Sequence, residues 1–379
     1  MDAPRIRTSE SVMEFPPSPG NPRNSEGDFL RLRDGRILFA YSRYVSDSGH
    51  DDAPCNVAGA VSADDGRTWT HLPGFLATAA EHGVTNIMSV SLVRLTTGEA
   101  CLVYLVKHSP ESFVVLRRFT DETALTLGEA EVIVPEKRGI YYVVNNSRVC
   151  MLSDGSLLLP MARHRIVRQA DGRRCGVYFG NCAMFRGDPD GRNWRQESRV
   201  LYMPSPGASV TGLQEPGAVE KPDGSVYGYF RTDRGYQFDA HSPDGGKTWS
   251  TPASSRFTAP DSPMLIRRDP FSGLYYAVWN PIPCYNGRLD RTKRWIHAGR
   301  TPLVLAVSET CADFSPYTIL EDAPDHGFCY PAMFFPAPGV MLLAYCCGGE
   351  EDGTCLSKTR IRRIELVHTD GDEGDRQVK

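Results

Sequence analysis

A glycine turn followed by a short apolar run recurs six times along the chain. The glycines lie 63, 57, 69, 49 and 66 residues apart, a spacing that fits six repeats into 379 residues. Each copy has the pattern of a β-hairpin. The hairpin glycines are Gly35, Gly98, Gly155, Gly224, Gly273 and Gly339. Short strands, abundant turns and a period of about 60 residues predict an all-β, six-bladed β-propeller. We expect one domain over residues 1–379, with a polar tail at 368–379.

A second motif, S-x-D-x-G-x-T-W, lies between the hairpins. It occurs in full at Ser62–Trp69 and Ser242–Trp249. In such a turn an Asp side chain can accept backbone N–H bonds, a Gly can take positive φ, and the Trp ring can be buried under the loop. Partial copies are found at Thr120–Asp121, Asp188–Trp194 and Ser308–Phe314. The motif predicts a local folding element rather than a catalytic one.

Composition and charge exclude several classes of protein. The formal net charge is −4, and no run of like charge forms a basic patch, so we expect no nucleic-acid partner. The longest apolar runs, such as Val340–Cys347, are too short to span a membrane, and the first residues carry no apolar signal region. Eleven cysteines without two-residue spacing are typical of buried free thiols in a reducing cytoplasm, although a removed leader stays open.

No cofactor is expected from the motifs. No group of His, Cys and carboxylates has metal-ligand spacing, and no Gly-rich turn between strand and helix indicates a nucleotide site. The acidic turn Asp51-Asp52 could hold Ca²⁺, but solvated turn carboxylates are far more frequent. The sequence leaves the oligomeric state open.

The repeat resembles the Asp box of the sialidase (neuraminidase) superfamily of six-bladed propellers, and it covers nearly the whole chain. Three segments resemble the active-site blades of that family: Gln214–Pro216 with Arg231, Gly299–Leu303 with Arg300, and Cys329–Pro331 with Tyr330. The resemblance implies a retaining exo-glycosidase that releases a terminal sugar of sialic-acid type. Because Asp-box propellers also include proteins without this activity, function must be argued from the site.

The same resemblance implies a role for each residue. Tyr330 is the expected nucleophile and Glu215 the base that takes its proton, since a neutral phenol avoids repulsion by the carboxylate beside the anomeric carbon. Arg231 and Arg300 are expected to bind that carboxylate. Asp52 is the expected acid for the leaving group, with Asp47 and Asp51 as alternatives in the same loop.

The first repeat departs from the family pattern. Counting nine residues back from Gly35 places Glu26 where the family carries an arginine, and Arg23 lies just upstream. Either Arg23 reaches the same place, or the clamp has lost an arginine and gained an acid. The second case would argue against an ordinary sialoside.

Further basic groups could redirect the specificity. Arg148 follows Asn145-Asn146-Ser147, and Arg163 precedes His164 at a strand end. Arg43, Arg163 and Arg231 lie seven or eight residues after their hairpin glycines, so we expect a ring of arginines around an anionic ligand.

Two rival functions stay open. One is the same fold acting on another acidic sugar, by hydrolysis or elimination, which the Glu26 replacement favours. The other is a non-catalytic glycan-binding propeller. The distance between Tyr330 and Glu215 separates catalysis from binding alone, because a base must lie within hydrogen-bond reach of the proton it takes.

Overall fold

The computed structural model describes residues 4–281 and 299–367. Its regular elements are 25 β-strands and two short 3₁₀ turns, at Ala79–His82 and Pro206–Ala208, so the all-β prediction is confirmed. The strands are short, and most are flanked by turns, as the sequence pattern predicted. The expected polar tail at 368–379 lies outside the described residues.

The first half of the chain forms antiparallel groups of neighbouring strands. The first group is β2 (Asn24–Arg31), β3 (Ile37–Tyr44), β4 (Cys55–Ser62) and β5 (Thr70–Ala77). The second is β6 (Asn86–Arg94), β7 (Ala100–His108), β8 (Glu111–Asp121) and β9 (Thr126–Val134). One parallel pair, Cys55 with Asn86, joins them into an eight-stranded sheet. The next sheet holds β10 (Ile140–Val143), β11 (Cys150–Met151), β12 (Leu157–Arg168), β13 (Arg174–Gly187) and β14 (Arg195–Gln196).

The second half forms three four-stranded antiparallel sheets. One contains β15 (Gln214–Glu220), β16 (Val226–Arg231), β17 (Tyr236–Ser242) and β18 (Ala253–Thr258). Another contains β19 (Leu265–Arg268), β20 (Tyr275–Trp279), β21 (Leu303–Ser308) and β22 (Tyr317–Glu321). The last contains β23 (Cys329–Ala337), β24 (Val340–Cys346), β25 (Thr359–Val367) and β1 (Arg5–Phe15), so strands from the two ends of the described chain pair within one sheet.

Each predicted hairpin is present. The six hairpin glycines lie in turns between paired or adjacent antiparallel strands, and all six have φ between 70° and 89°. This is the left-handed region, in which a side chain would be strained. The glycine turns therefore fix the register with which each sheet begins.

The S-x-D-x-G-x-T-W turns join two paired strands of one sheet, β4 to β5 and β17 to β18, and pack against a neighbouring sheet. In the first copy Asp64 Oδ1 accepts the Thr68 N–H at 2.9 Å, and Trp69 Nε1 donates to the Gly66 carbonyl at 3.2 Å. A Cβ on Gly66 would lie 2.5 Å from the Leu342 side chain of β24, so the turn packs tightly on the last sheet. The second copy makes the same bonds, and its Gly246 lies against Leu158 of the preceding sheet.

The core consists of apolar side chains packed between adjacent sheets. One cluster joins the first and second strand groups through Leu38, Val57, Ile87 and Leu102, all of them fully buried. Truncating a buried leucine to alanine typically costs about 2–5 kcal/mol. This rigid packing holds the strand ends that carry the candidate site.

Candidate active site

A cleft of about 700 Å³ opens where the first strands of several sheets begin. Its lining includes buried residues, which we call its inner end: Glu26, Ser89, Glu215, Arg231, Arg300 and Tyr330. Exposed lining residues, which include Asp52 and Tyr178, form its outer end. Arginines, carboxyls and a tyrosine therefore converge in one concave site, which is the usual form of a small-ligand pocket.

Four of the inner residues share an unusual backbone position. Glu26, Ser89, Glu215 and Tyr330 are non-glycine residues with φ of 55°, 62°, 42° and 54°. Each lies nine residues before the glycine of its own hairpin, at a break in the strand register. Such a β-bulge redirects a side chain, and strained conformations of this kind cluster at functional sites. We call these four the bulge residues.

Tyr330 and Glu215 are hydrogen-bonded in the cleft. The Tyr330 hydroxyl donates to Glu215 Oε1 at 2.8 Å, and Arg231 Nη1 donates to the same oxygen at 2.8 Å. Burial and the neighbouring Glu215 carboxylate both raise the pKa of Tyr330 well above its usual value. The phenol is therefore neutral at physiological pH, and the carboxylate that could accept its proton is already in place.

The two arginines of the cleft differ in how far they are neutralised. Arg231 binds Glu215 and also Asp261, whose Oδ1 lies 2.6 Å from its Nε. Arg300 has only neutral partners within residues 4–281 and 299–367, namely the Cys329 Sγ and the Asp261 carbonyl, each at 3.2 Å. Its Nε is buried without a hydrogen-bond partner there. Arg300 is therefore the stronger anion-binding group.

The acidic loop after β3 reaches the outer end of the cleft. Asp51 Oδ1 lies 2.5 Å from Arg23 Nη1, and although burial opposes it, Arg23 lowers the pKa of Asp51 to about 2. Asp51 is therefore ionised at neutral pH and is a poor proton donor. Asp52 lines the same cleft, with Oδ1 2.7 Å from Lys107 Nζ and a side chain that is 67% exposed. Asp47 is not among the residues that line the cleft.

Four predicted arginines lie outside the cleft lining. Arg23 is 2% exposed and lies behind Glu26 and Asp51, where its guanidinium packs over the Tyr44 ring at 4.6 Å. Arg148 is equally buried, and its Nη2 donates to the Met264 carbonyl. These positions correct the expectation that both arginines contact the ligand.

Arg43 and Arg163 also correct the expected ring of arginines. The Arg43 guanidinium packs over the Phe75 ring of the outer strand β5, and neither residue lines the cleft. The reason is strand parity: both follow their hairpin glycine by eight residues, whereas Arg231 follows Gly224 by seven. Successive side chains of a strand point to opposite faces of the sheet, so an offset of one residue places Arg43 and Arg163 on the opposite face from Arg231.

Several contributors were not predicted from the sequence. Asp261 binds Arg231 and accepts a hydrogen bond from the hydroxyl of Tyr178, a cleft residue that is 57% exposed. Ser89 had a recognisable signal, because it shares the nine-residue offset of Glu215 and Tyr330. Asp261 had none, since it lies in a loop without a repeat equivalent. His164 does line the cleft, and burial lowers its pKa.

One group outside the cleft could hold a metal ion. His326, Glu351 and Asp352 bring one ligand atom each within 4.8 Å of one another. The ammonium of Lys358 already lies 2.8 Å from Asp352 Oδ2 and supplies positive charge there. Among the described residues no helix is long and apolar enough to cross a membrane.

Comparisons with known proteins agree with this architecture. The model of a family described as "BNR repeat-like domain" matches residues 92–340. A protein of unknown function from Dyadobacter fermentans is 16% identical, with a TM-score of 0.69 over 95% of this chain and 100% of that chain. The Hadza microbial sialidase Hz136 is 13% identical, with a TM-score of 0.69 over 91% of this chain and 66% of that chain.

The K499G mutant of NanB sialidase from Streptococcus pneumoniae is 12% identical, with a TM-score of 0.65 over 94% of this chain and 71% of that chain. A search of curated proteins finds no match. At these identities the structural likeness establishes the fold and leaves the chemistry to the site.

Proposed function

Since the chain belongs to the BNR repeat-like family and has a sialidase-like fold, we propose that it is a retaining exo-glycosidase. Its substrate would be a glycan with a terminal acidic sugar of sialic-acid type. The observation that carries the proposal is the 2.8 Å hydrogen bond from Tyr330 to Glu215 inside the cleft. A protein that only binds glycans has no need for a buried phenol held against a base.

We also propose that the strand groups form a six-bladed propeller in a single domain. Six hairpin glycines at a regular period support the number of blades. The contact of Gly66 with Leu342, together with packing of β2 against β23, supports closure between the first and last groups. In a propeller the first strands of all blades surround the axis, which accounts for the common location of the bulge residues.

The proposed reaction consists of two displacements at the anomeric carbon. Tyr330 Oη attacks the anomeric carbon while Glu215 takes its proton, and the glycosidic C–O bond breaks as Asp52 protonates the leaving oxygen. Water activated by Asp52 then attacks the same carbon, the bond to Tyr330 breaks, and Glu215 returns the proton to the phenolate. Two displacements retain the anomeric configuration.

The neutral nucleophile suits a substrate that carries its own negative charge. A carboxylate beside the anomeric carbon would repel an anionic Asp or Glu, whereas it would be attracted by Arg300 and by the guanidinium of Arg231. Arg300 is the principal carboxylate ligand in this proposal, because Asp261 and Glu215 already bind Arg231.

The test is fluorogenic release from 4-methylumbelliferyl N-acetylneuraminate at pH 5 to 7, with the first-formed anomer identified by proton NMR. Turnover with initial release of the α-anomer supports the proposal, and the β-anomer as first product contradicts the retaining mechanism. A folded protein without turnover would favour the second candidate, the same fold acting on another acidic sugar. The acidic side chain of Glu26 in the cleft is the observation behind that alternative.

A further inference from the structure

Glu26 has a buried carboxyl group in the cleft, and one of its oxygens has no hydrogen-bond partner among the described residues. It is a bulge residue on β2, and β2 packs against β23. Its side chain lines the cleft together with Tyr330 and Arg300, and the residue is only 4% exposed. Its Oε1 accepts a long hydrogen bond of 3.3 Å from Arg23 Nη2. Its Oε2 is buried without a hydrogen-bond partner among residues 4–281 and 299–367.

Among the residues that the structure describes, the one guanidinium that contacts Glu26 also binds other groups. Arg23 lies 2.5 Å from Asp51 Oδ1 and donates to the Ser25 hydroxyl at 2.9 Å and to the Gly49 carbonyl at 3.2 Å. Its contact with Glu26 is longer than any of these. Glu26 therefore receives only part of the charge compensation that an ion pair normally provides.

The other groups that face Glu26 do not restore this balance. Burial is the largest influence and raises the pKa of Glu26 to about 7, Arg23 lowers it, and Asp51 and Glu215 raise it further. Lys107 acts weakly, because its ammonium binds Asp52 and the Asp51 carbonyl. The remaining titratable neighbours in the described part of the chain are Tyr44, Cys55 and Tyr330, which are neutral at physiological pH because burial raises the pKa of each.

An ionised carboxylate with an unsolvated, unpaired oxygen is costly, whereas a protonated one has an O–H group to donate. The substrate's acid group is an acceptor for such a donor, alongside the guanidinium groups of Arg300 and Arg231 in the same cleft. On the basis of the glycosidase function above, we propose that Glu26 binds substrate by donating a hydrogen bond from its protonated carboxyl to the carboxylate of the acidic sugar. An O–H···O⁻ bond of this kind is short and strong.

This arrangement couples binding to a proton. Below about pH 7 Glu26 already carries the proton, so affinity is independent of pH. Above that pH the ligand must bind together with a proton taken from solution, and the dissociation constant approaches a tenfold rise for each pH unit. Glu26→Gln keeps a hydrogen-bond donor that does not titrate, so its affinity stays flat across this range.

The test is isothermal titration calorimetry with 2-deoxy-2,3-didehydro-N-acetylneuraminic acid, in two buffers of different ionisation enthalpy. At pH 8 we expect the wild type to take up close to one proton per ligand, and at pH 5.5 close to none. Glu26→Gln should take up none at either pH. The matched control is Glu129→Gln, an exposed acid on β9 outside the cleft, which should behave as the wild type.

The outcomes separate this inference from the proposed function. Wild-type protein that cleaves the fluorogenic sialoside and binds without proton uptake, or a Glu26→Gln variant that still takes up a proton, overturns the role of Glu26 and leaves the glycosidase intact. Wild-type protein that neither cleaves nor binds overturns both. The wild-type measurement at two pH values stands even if the variant fails to fold.

Discussion

Replacing Tyr330 by phenylalanine removes one oxygen from the centre of the site. The variant keeps the aromatic ring, over which the Arg300 guanidinium lies at 5.5 Å from the ring centre, and it loses the 2.8 Å hydrogen bond to Glu215. Arg231 remains on the same Glu215 oxygen, so that carboxylate is not left without a partner. We therefore expect the fold and the substrate contacts to persist.

The expected effects on stability and on turnover are very different. Loss of one hydrogen bond to a carboxylate that keeps another partner should cost about 1 kcal/mol of unfolding free energy, a shift of a few degrees in Tm. Loss of the nucleophile should lower kcat by roughly 10³-fold or more, about 4 kcal/mol in transition-state stabilisation. KM should change little, because Arg300 and Arg231 are intact.

Steady-state release of 4-methylumbelliferone at pH 5 to 7, with thermal unfolding of the same samples, measures both effects. The matched control is Tyr275→Phe, which removes a buried hydroxyl bonded to the Glu220 carbonyl at 3.2 Å, away from the cleft. It should cost similar stability and leave kcat unchanged. A Tyr330→Phe protein with kcat within tenfold of the wild type would refute the assignment of Tyr330 as nucleophile.

Three further perturbations probe the rest of the site and its scaffold. Arg300→Ala should raise KM for an anionic sialoside by about 10²-fold at unchanged Tm, and an unchanged KM would argue against its role as the carboxylate ligand. Asp52→Asn should slow cleavage of a natural glycan far more than cleavage of the 4-methylumbelliferyl substrate, whose leaving group needs less protonation; equal slowing of both would point to another acid. Asp244→Ala should lower unfolding free energy by about 1–2 kcal/mol without changing kcat, because it removes hydrogen bonds from Thr248. Burial would raise the pKa of Asp244, yet the hydrogen bonds from Thr248 lower it to about 2. The unfolding free energy of the wild type should therefore fall between about pH 4 and pH 2. The Asp244→Ala variant should lack that loss when unfolding is measured at a series of pH values.

The hairpins and tryptophan turns were predictable because their causes are local. A glycine with positive φ and an Asp that caps its own turn act within a few residues, so a short stretch of sequence is enough to recognise them. Tyr330 and Glu215 were expected from the resemblance of their segments to the sialidase family, and the structure adds that both lie nine residues before a hairpin glycine.

The arginines show where sequence reasoning fails. The difference between seven and eight residues after a glycine decides which face of the strand a side chain occupies, and Arg43 and Arg163 fall on the wrong one. Arg23 and Asp261 depend on partners about 30 residues away, at Asp51 and Arg231, in loops that do not repeat. No local pattern encodes such a pairing.

The sheet that pairs β1 with β25 also has a consequence for assembly on the ribosome. Tyr330 is the second residue of β23 in that sheet, and Arg5 of β1 pairs with Val367 of β25. Strands this distant in sequence meet only after the residues between them have been synthesised, and such non-local pairing is slow. Tyr330, the proposed nucleophile, would thus reach its final position only after β25 has been synthesised, which keeps a partly made chain from exposing a competent site.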